Sequence, residues 1–113
     1  MSELSFKYLH FSNSIRRINK RYKLTEYKQV MVLEAVLFAH SEKVSLSILD
    51  LILQNEIASQ ATLHSITRQL MDLKLIKTEV SKTDARRKYV SPTKLGMSWL
   101  NDCSEALASA SQK

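Results

Sequence analysis

Residues 58–96, ASQATLHSITRQLMDLKLIKTEVSKTDARRKYVSPTKLG, decide the fold of this chain. Their first half repeats apolar side chains at intervals of three and four residues, which predicts an amphipathic helix over 59–73 with Ser59 as its N-cap. The apolar stripe consists of Leu63, Ile66, Leu70 and Leu73. Small and polar side chains occupy the opposite face, namely Gln60 or Ala61, His64, Ser65 and Arg68. The helix therefore has one face for a core and another that a partner can approach closely.

A basic hairpin follows this helix. Residues 75–81 contain Ile76, Thr78 and Val80 in alternation, and residues 87–91 contain Tyr89 and Val90, which predicts two short strands. The tip between them is charged and contains Lys82, Asp84, Arg86 and Arg87. Pro92 should end the second strand, and Thr93 should cap a last helix over 93–110.

Three further helices are predicted before this stretch. Residues 3–22 repeat apolar side chains at steps of four and three, as one stripe on a long helix. The stripe consists of Leu4, Tyr8, Phe11, Ile15, Ile18 and Tyr22. Thr25 is placed to cap a second helix that ends near His40, and 44–53 predict a short helix largely inside the core. The expected fold is mainly α with a small β-hairpin.

Length and charge limit the classes of function. A chain of 113 residues should form a single domain over 1–113, and one Gly and one Pro leave little room for irregular loops. The net charge is +6 and the pI is about 9.6, which favours a polyanionic partner such as nucleic acid. Many soluble proteins are mildly basic without such a partner. Here, however, the excess lies in two blocks, 16–28 and 68–94.

The sequence gives no sign of catalysis or of a bound metal. Cys103 is the only cysteine, so it excludes an internal disulfide and a cysteine-based zinc cage. On a helix stripe it is more typical of a small apolar residue than of an oxidant sensor. His10 and His40 have no partner at metal-ligand spacing, and no nucleophile motif or glycine-rich phosphate loop is present. We expect no cofactor and no enzyme activity. Without a signal peptide or a membrane-spanning apolar run, the expected location is cytoplasmic.

A helix with a polar outer face and a basic hairpin beside it make a winged helix-turn-helix, which suits the major groove and the DNA backbone. Between Leu24 and Gly96 the sequence resembles the MarR-type winged-helix transcriptional regulators. Four motifs support the resemblance: Ser59-x-x-Thr62, Leu70-x-x-Leu73-x-Leu75-Ile76, Asp84-x-Arg86 and Thr93-x-x-Gly96. Lys74 departs from the pattern, because it stands where that family commonly has glycine after the recognition helix.

The resemblance implies a helix-turn-helix over 44–73 and a wing over 75–91. It places recognition helix 59–73 in the major groove and the wing tip 82–87 at the minor groove. Helices 3–22 and 93–110 would interlock in a homodimer. The DNA-binding residues would be Ser59, Gln60, Thr62, His64, Ser65, Arg68, Lys82, Arg86, Arg87 and Lys88. Asp84 is expected to orient Arg86, since phosphates repel a carboxylate.

The leading hypothesis is a homodimeric, sequence-specific regulator of transcription that binds double-stranded DNA at a palindromic site, more consistent with a repressor than an activator. The stripe on 3–22 is either core or a dimer seam, and we favour the seam. One alternative is a winged-helix module that binds another regulator or the transcription machinery. Another is a nucleoid or plasmid-maintenance protein. The sequence does not identify a small-molecule effector.

Overall fold

The computed structural model describes residues 3–84 and 86–111, which form five helices and three short strands. The helices are α1 Glu3–Arg21, α2 Tyr27–Ser41, α3 Ile48–Ile52, α4 Gln60–Asp72 and α5 Lys94–Ser111. The strands are β1 Leu46–Ser47, β2 Ile76–Val80 and β3 Lys88–Pro92. The predicted fold class is confirmed. Contacts divide the chain into two compact units, one from Glu26 to Met97 and the other containing the terminal segments up to Thr25 and from Ser98.

The unit from Glu26 to Met97 is built around α2, α3, α4 and the sheet. Its centre contains side chains with no solvent exposure, including Leu33, Leu51, Leu63, Leu70 and Leu75. The three strands are antiparallel with β3 in the middle, where Val90 pairs with Leu46 on one side and Thr78 on the other. The apolar periodicity of α2 and α4 thus produces a packed core.

Strand β1 corrects the prediction of a two-stranded hairpin and of a single helix over 44–53. Leu46 and Ser47 pair with β3, and α3 begins only at Ile48. The Ser47 hydroxyl accepts a hydrogen bond from the Asp50 backbone N–H at 3.0 Å, which caps α3. The expectation that the segment is largely buried is also wrong, because Val44, Leu49 and Leu53 are exposed. A two-residue strand is too short to produce an alternating pattern, so the sequence did not reveal it.

The start of α2 also differs from the prediction. Glu26, with extended backbone angles of φ −131° and ψ 144°, is the N-cap, and Thr25 lies one residue before it. The Gln29 side-chain oxygen Oε1 accepts a hydrogen bond from the Glu26 backbone N–H at 3.1 Å. A glutamine at the third helical position satisfies one of the donors that a helix start leaves open. This contact selects Glu26 as the cap.

Three helices end in the same motif, with a lysine where glycine is usual. The lysines after α1, α2 and α4 have left-handed backbone angles: Lys23 φ 63°, Lys43 φ 58° and Lys74 φ 64°. The next N–H in each case bonds five residues back, from Leu24 to Asn19 at 2.8 Å, Val44 to Ala39 at 2.9 Å and Leu75 to Leu70 at 3.0 Å. These are Schellman motifs. A lysine there has a strained backbone, although its charge favours the negative helix end.

Replacement of Lys74 by glycine should therefore stabilise the protein. Relief of the left-handed strain should raise the free energy of unfolding by about 1 kcal/mol. Lys77→Gly is the matched control, because Lys77 is an exposed strand residue and glycine there should lower stability by about 0.5–1 kcal/mol. Urea denaturation of both variants measures the difference. Equal signs for the two changes would contradict the account of the Schellman strain.

The unit formed by the terminal segments holds α1 against α5. Trp99 is buried and its indole Nε1 donates to Asn19 Oδ1 at 2.8 Å. The Tyr22 hydroxyl donates to Asp102 Oδ2 at 2.6 Å, and this hydrogen bond raises the pKa of Tyr22. At the other end of α1 the large apolar side chains are exposed: Leu4, Phe6, Tyr8 and Leu9. The predicted stripe of this helix is therefore buried only towards its C-terminal end.

Two further predictions concern these segments. Cys103 is half-buried on α5 rather than fully inside the core. None of the helices in the described ranges combines the length and the apolar character that a bilayer crossing needs.

Candidate nucleic-acid interface

The N-terminus of α4 is closed by the predicted cap. The Ser59 hydroxyl oxygen accepts from the Thr62 backbone N–H at 3.3 Å, and the same hydroxyl donates to Thr62 Oγ1 at 3.1 Å. Both side chains were predicted to contact DNA, and the structure engages their hydroxyls in the cap. The start of a helix also has a partial positive charge, which suits an anion such as a DNA phosphate.

The two faces of α4 differ as the periodicity predicted. Leu63, Ile66 and Leu70 are buried, whereas Leu73 is half-buried and forms the C-cap. Thr67, which the stripe did not include, is also buried and donates its hydroxyl to the Leu63 carbonyl at 2.7 Å. The outer face is solvent-exposed and consists of Gln60, Ala61, His64, Ser65, Arg68 and Gln69. Most of these residues are small or polar, so the outer face lets the helix approach a groove.

The wing tip is organised by backbone and side-chain hydrogen bonds. Ser81 N–H donates to the Arg87 carbonyl at 2.8 Å, and Arg87 N–H donates to the Asp84 carbonyl at 3.0 Å. The Ser81 hydroxyl oxygen accepts from the N–H groups of Thr83 and Asp84, each at 3.2 Å. The tip is thus a defined turn, within which residue 85 lies outside the described ranges.

Asp84 holds Arg86 in the way that the sequence predicted. Its Oδ1 accepts from the Arg86 backbone N–H at 3.0 Å and lies 3.6 Å from the guanidinium Nε. The Arg86 side chain is nevertheless 93% exposed, so its guanidinium extends into solvent. An ion pair this exposed contributes little stability. The contact with Asp84 instead restricts the positions that the Arg86 guanidinium can take at the wing tip.

The other predicted cations of the wing are exposed as well. These are Lys82, Arg87 and Lys88. A hydrogen bond with the Tyr89 side chain raises the pKa of Arg87 above its ordinary value. All ten predicted DNA-binding residues lie in the unit from Glu26 to Met97, on α4, its cap or the wing. Four cations are therefore concentrated beside the hairpin tip.

A junction between α4, the sheet and α5 positions the wing, and the sequence did not reveal it. The Thr93 hydroxyl donates to the Lys74 carbonyl at 2.6 Å and accepts from the Gly96 N–H at 3.0 Å. Thr93 N–H also donates to the Leu75 carbonyl at 3.2 Å. Thr93 was predicted only as a cap, which these contacts confirm. Its second role is to join the end of α4 to the end of β3.

The surroundings of Ser65 contain two residues that the sequence analysis missed. Gln69 follows Ser65 by one helical turn, and its side-chain Nε2 donates to Ser65 Oγ at 3.3 Å. Gln29 on α2 is buried and donates its Nε2 to Gln69 Oε1 at 2.8 Å. The spacing of Ser65 and Gln69 was visible in the sequence, but the contact with Gln29 joins residues 40 positions apart.

Solved structures with the same fold include a protein in complex with DNA and two transcriptional regulators. S. aureus MepR in a DNA complex has a TM-score of 0.75 at 23% identity, over 89% of this chain and 72% of MepR. The transcriptional regulator Tm0710 from Thermotoga maritima has a TM-score of 0.67 at 14% identity, over 85% of this chain and 63% of Tm0710. The PcaV regulator from Streptomyces coelicolor, solved with its natural ligand, has a TM-score of 0.56 at 18% identity, over 78% of this chain and 59% of PcaV.

Sequence comparison alone is less informative, since no family model and no curated protein matches the chain. The structural likeness covers most of the chain. The chain therefore has the fold of the MarR-type winged-helix transcriptional regulators.

Proposed function

We propose that this protein is a sequence-specific regulator of transcription that binds double-stranded DNA, with α4 in the major groove and the wing tip 82–87 at the minor groove. One observation supports this most directly. A single compact unit presents the exposed polar face of α4 together with four exposed cations of the wing. A major groove about 12 Å wide admits an α-helix, and cations beside it neutralise phosphates.

In this proposal the wing supplies most of the affinity, and the outer face of α4 supplies the specificity. Arg86, Arg87 and Lys88 contact phosphates, which supplies binding energy for any sequence. Gln60, His64 and Arg68 face base edges and discriminate between sequences, because their donors and acceptors can match the pattern in the major groove. The MepR structure, a complex with DNA, supports the partner class.

The homodimer is the second part of the proposal. The exposed apolar side chains of α1, Leu4, Phe6, Tyr8 and Leu9, would be costly to leave in water. Next to them lies a groove of about 650 Å³ between α1 and α5, lined by Phe6, Phe11, Ala106 and Ala110 among others. A second copy of the chain covers this surface. Two copies related by a twofold axis place two α4 helices about 34 Å apart and require a palindromic site.

Such a dimer acts as a repressor when its site overlaps a promoter, because the bound protein blocks access to the DNA. The proposed place of action is the cytoplasm. PcaV was solved with its natural ligand, which makes a small-molecule effector worth testing here.

Selection of bound duplexes from a random pool tests the proposal. We expect enrichment of a palindrome whose half-site centres are about 10 base pairs apart, and affinity that falls steeply as salt rises. Light scattering should give twice the chain mass of 13.0 kDa. Binding without any enriched sequence would instead support a nucleoid or plasmid-maintenance role. No duplex binding even at low salt would overturn the proposal in favour of a protein partner.

A further inference from the structure

Three side chains form a continuous hydrogen-bonded chain from the start of α2 to the outer face of α4. Glu26 N–H donates to Gln29 Oε1 at 3.1 Å, and Gln29 Nε2 donates to Gln69 Oε1 at 2.8 Å. Gln69 Nε2 then donates to Ser65 Oγ at 3.3 Å. Gln29 is only 6% exposed, whereas Gln69 and Ser65 are exposed on the face proposed to enter the major groove. A buried residue of α2 is thus connected to a proposed DNA contact.

The first donor determines the direction of every bond in this chain. A backbone N–H can only donate, so the Gln29 amide must direct its oxygen towards Glu26 and its NH₂ towards Gln69. Gln69 must then accept with its oxygen, which directs its own NH₂ towards Ser65. Either amide reversed alone would bring two donors or two acceptors together. The Ser65 oxygen is therefore the acceptor at the end of the chain.

This order determines what Ser65 can offer to DNA. A serine hydroxyl has one proton and two lone pairs, and the proton cannot point towards the NH₂ group of Gln69. The proton is directed away from Gln69, where it is available to an acceptor on a base. Guanine offers O6 and N7, adenine N7 and thymine O4, whereas cytosine offers the N4 amino donor. With its proton directed at the base edge, Ser65 pairs with these acceptors and is disfavoured opposite cytosine, which presents a donor there.

We propose that Gln29 and Gln69 are positioning residues that make Ser65 a hydrogen-bond donor towards base acceptors in the major groove. The proposal rests on the DNA-binding function proposed above. Gln29 does not touch DNA in this account and acts only through Gln69. Its substitution should therefore change base preference while the outer face of α4 keeps all its side chains.

The test uses duplexes that contain every single base-pair change in the site selected from the random pool. Wild-type protein should disfavour cytosine at one position of each half-site by about 2- to 10-fold, the range expected for one net hydrogen bond. Ser65→Ala should remove this preference. Gln69→Glu should reverse it in favour of cytosine, because a carboxylate accepts from both Gln29 and the Ser65 hydroxyl and leaves Ser65 as an outward acceptor. The reversal should disappear when Gln69→Glu is combined with Ser65→Ala, whereas a reversal that persists would show that the carboxylate contacts cytosine directly and would overturn the positioning role.

Gln29→Met and Gln69→Met are the matched controls, since methionine has similar length and cannot propagate the hydrogen bonds. Both should relax the preference without reversing it, and thermal melting shows whether the buried variant is folded. If Gln29→Met does not fold, Gln69→Glu on the exposed surface still decides the matter.

A wild-type preference retained in Gln69→Glu, or a site with no base that depends on Ser65, overturns the positioning role. In both cases wild-type binding to the selected site leaves the proposed function intact. Wild-type protein that binds no duplex overturns the proposed function, and the positioning role fails with it.

Discussion

Gly96→Ala should destabilise the protein by about 2 kcal/mol and lower its melting temperature by about 8 °C. A Cβ atom built at Gly96 would lie 2.3 Å from the backbone oxygen of Leu75 and 3.5 Å from Pro92 Cβ. The Leu75 carbonyl cannot simply move aside, because it accepts the Thr93 N–H at 3.2 Å and belongs to a fully buried residue. Overpacking of this kind costs about 3 kcal/mol or more, whereas alanine in a helix gains only about 1 kcal/mol over glycine.

Thermal and urea denaturation of Gly96→Ala measure this loss, with Ser104→Ala as the control. Ser104 is exposed on the same helix, so alanine there should be neutral or slightly stabilising. Equal stability of the two variants would show that the helix can move away from Leu75. In that case Gly96 would not explain how closely α5 approaches the junction of α4 and the sheet.

Arg68→Ala and Arg86→Ala should weaken DNA binding in two different ways. If Arg68 reads a guanine, its removal should cost about 1–3 kcal/mol on the selected site and little on random duplex. Arg86 lies at the wing tip with a side chain that is 93% exposed, which suits a backbone contact. Its removal should weaken binding to all sequences and reduce the slope of log affinity against log salt by about 1.

Affinities measured for both variants on cognate and random duplexes, at several salt concentrations, separate these roles. An equal loss on both duplexes for Arg68→Ala would indicate a phosphate contact. An unchanged salt slope for Arg86→Ala would count against the wing assignment. Lys43→Ala is a useful control, because Lys43 is an exposed cation of the same unit that lies outside α4 and the wing.

The sequence predicted the elements whose signals are local. Leu63, Ile66 and Leu70 repeat with the period of a helix, and their burial follows from that spacing. The wing was visible from its alternating residues and its charged tip, and the Asp84 contact with Arg86 spans only two positions. Periodicity did not reveal that Glu26 caps α2 in place of the predicted Thr25, since both residues precede the same apolar run.

Features that depend on residues distant in the chain were decided by the tertiary structure. Strand β1 has two residues and exists because β3 presents an open edge to it. The contact from Gln29 to Gln69 exists because α2 packs against α4. The need for glycine at Gly96 arises from the Leu75 carbonyl, 21 positions away.

The sequence by itself determined the order of the helices and of the two wing strands, the faces of α4 and the basic wing, because each depends on spacing within a few residues. Only the tertiary structure decided which side chains meet across elements. It placed Lys74 in a left-handed turn and joined Thr93 to the end of α4. It also turned Ser65 from a small polar residue into the end of an oriented hydrogen-bond chain. Hydrogen bonds between elements require a specific packing, and a pattern within one segment does not contain that information.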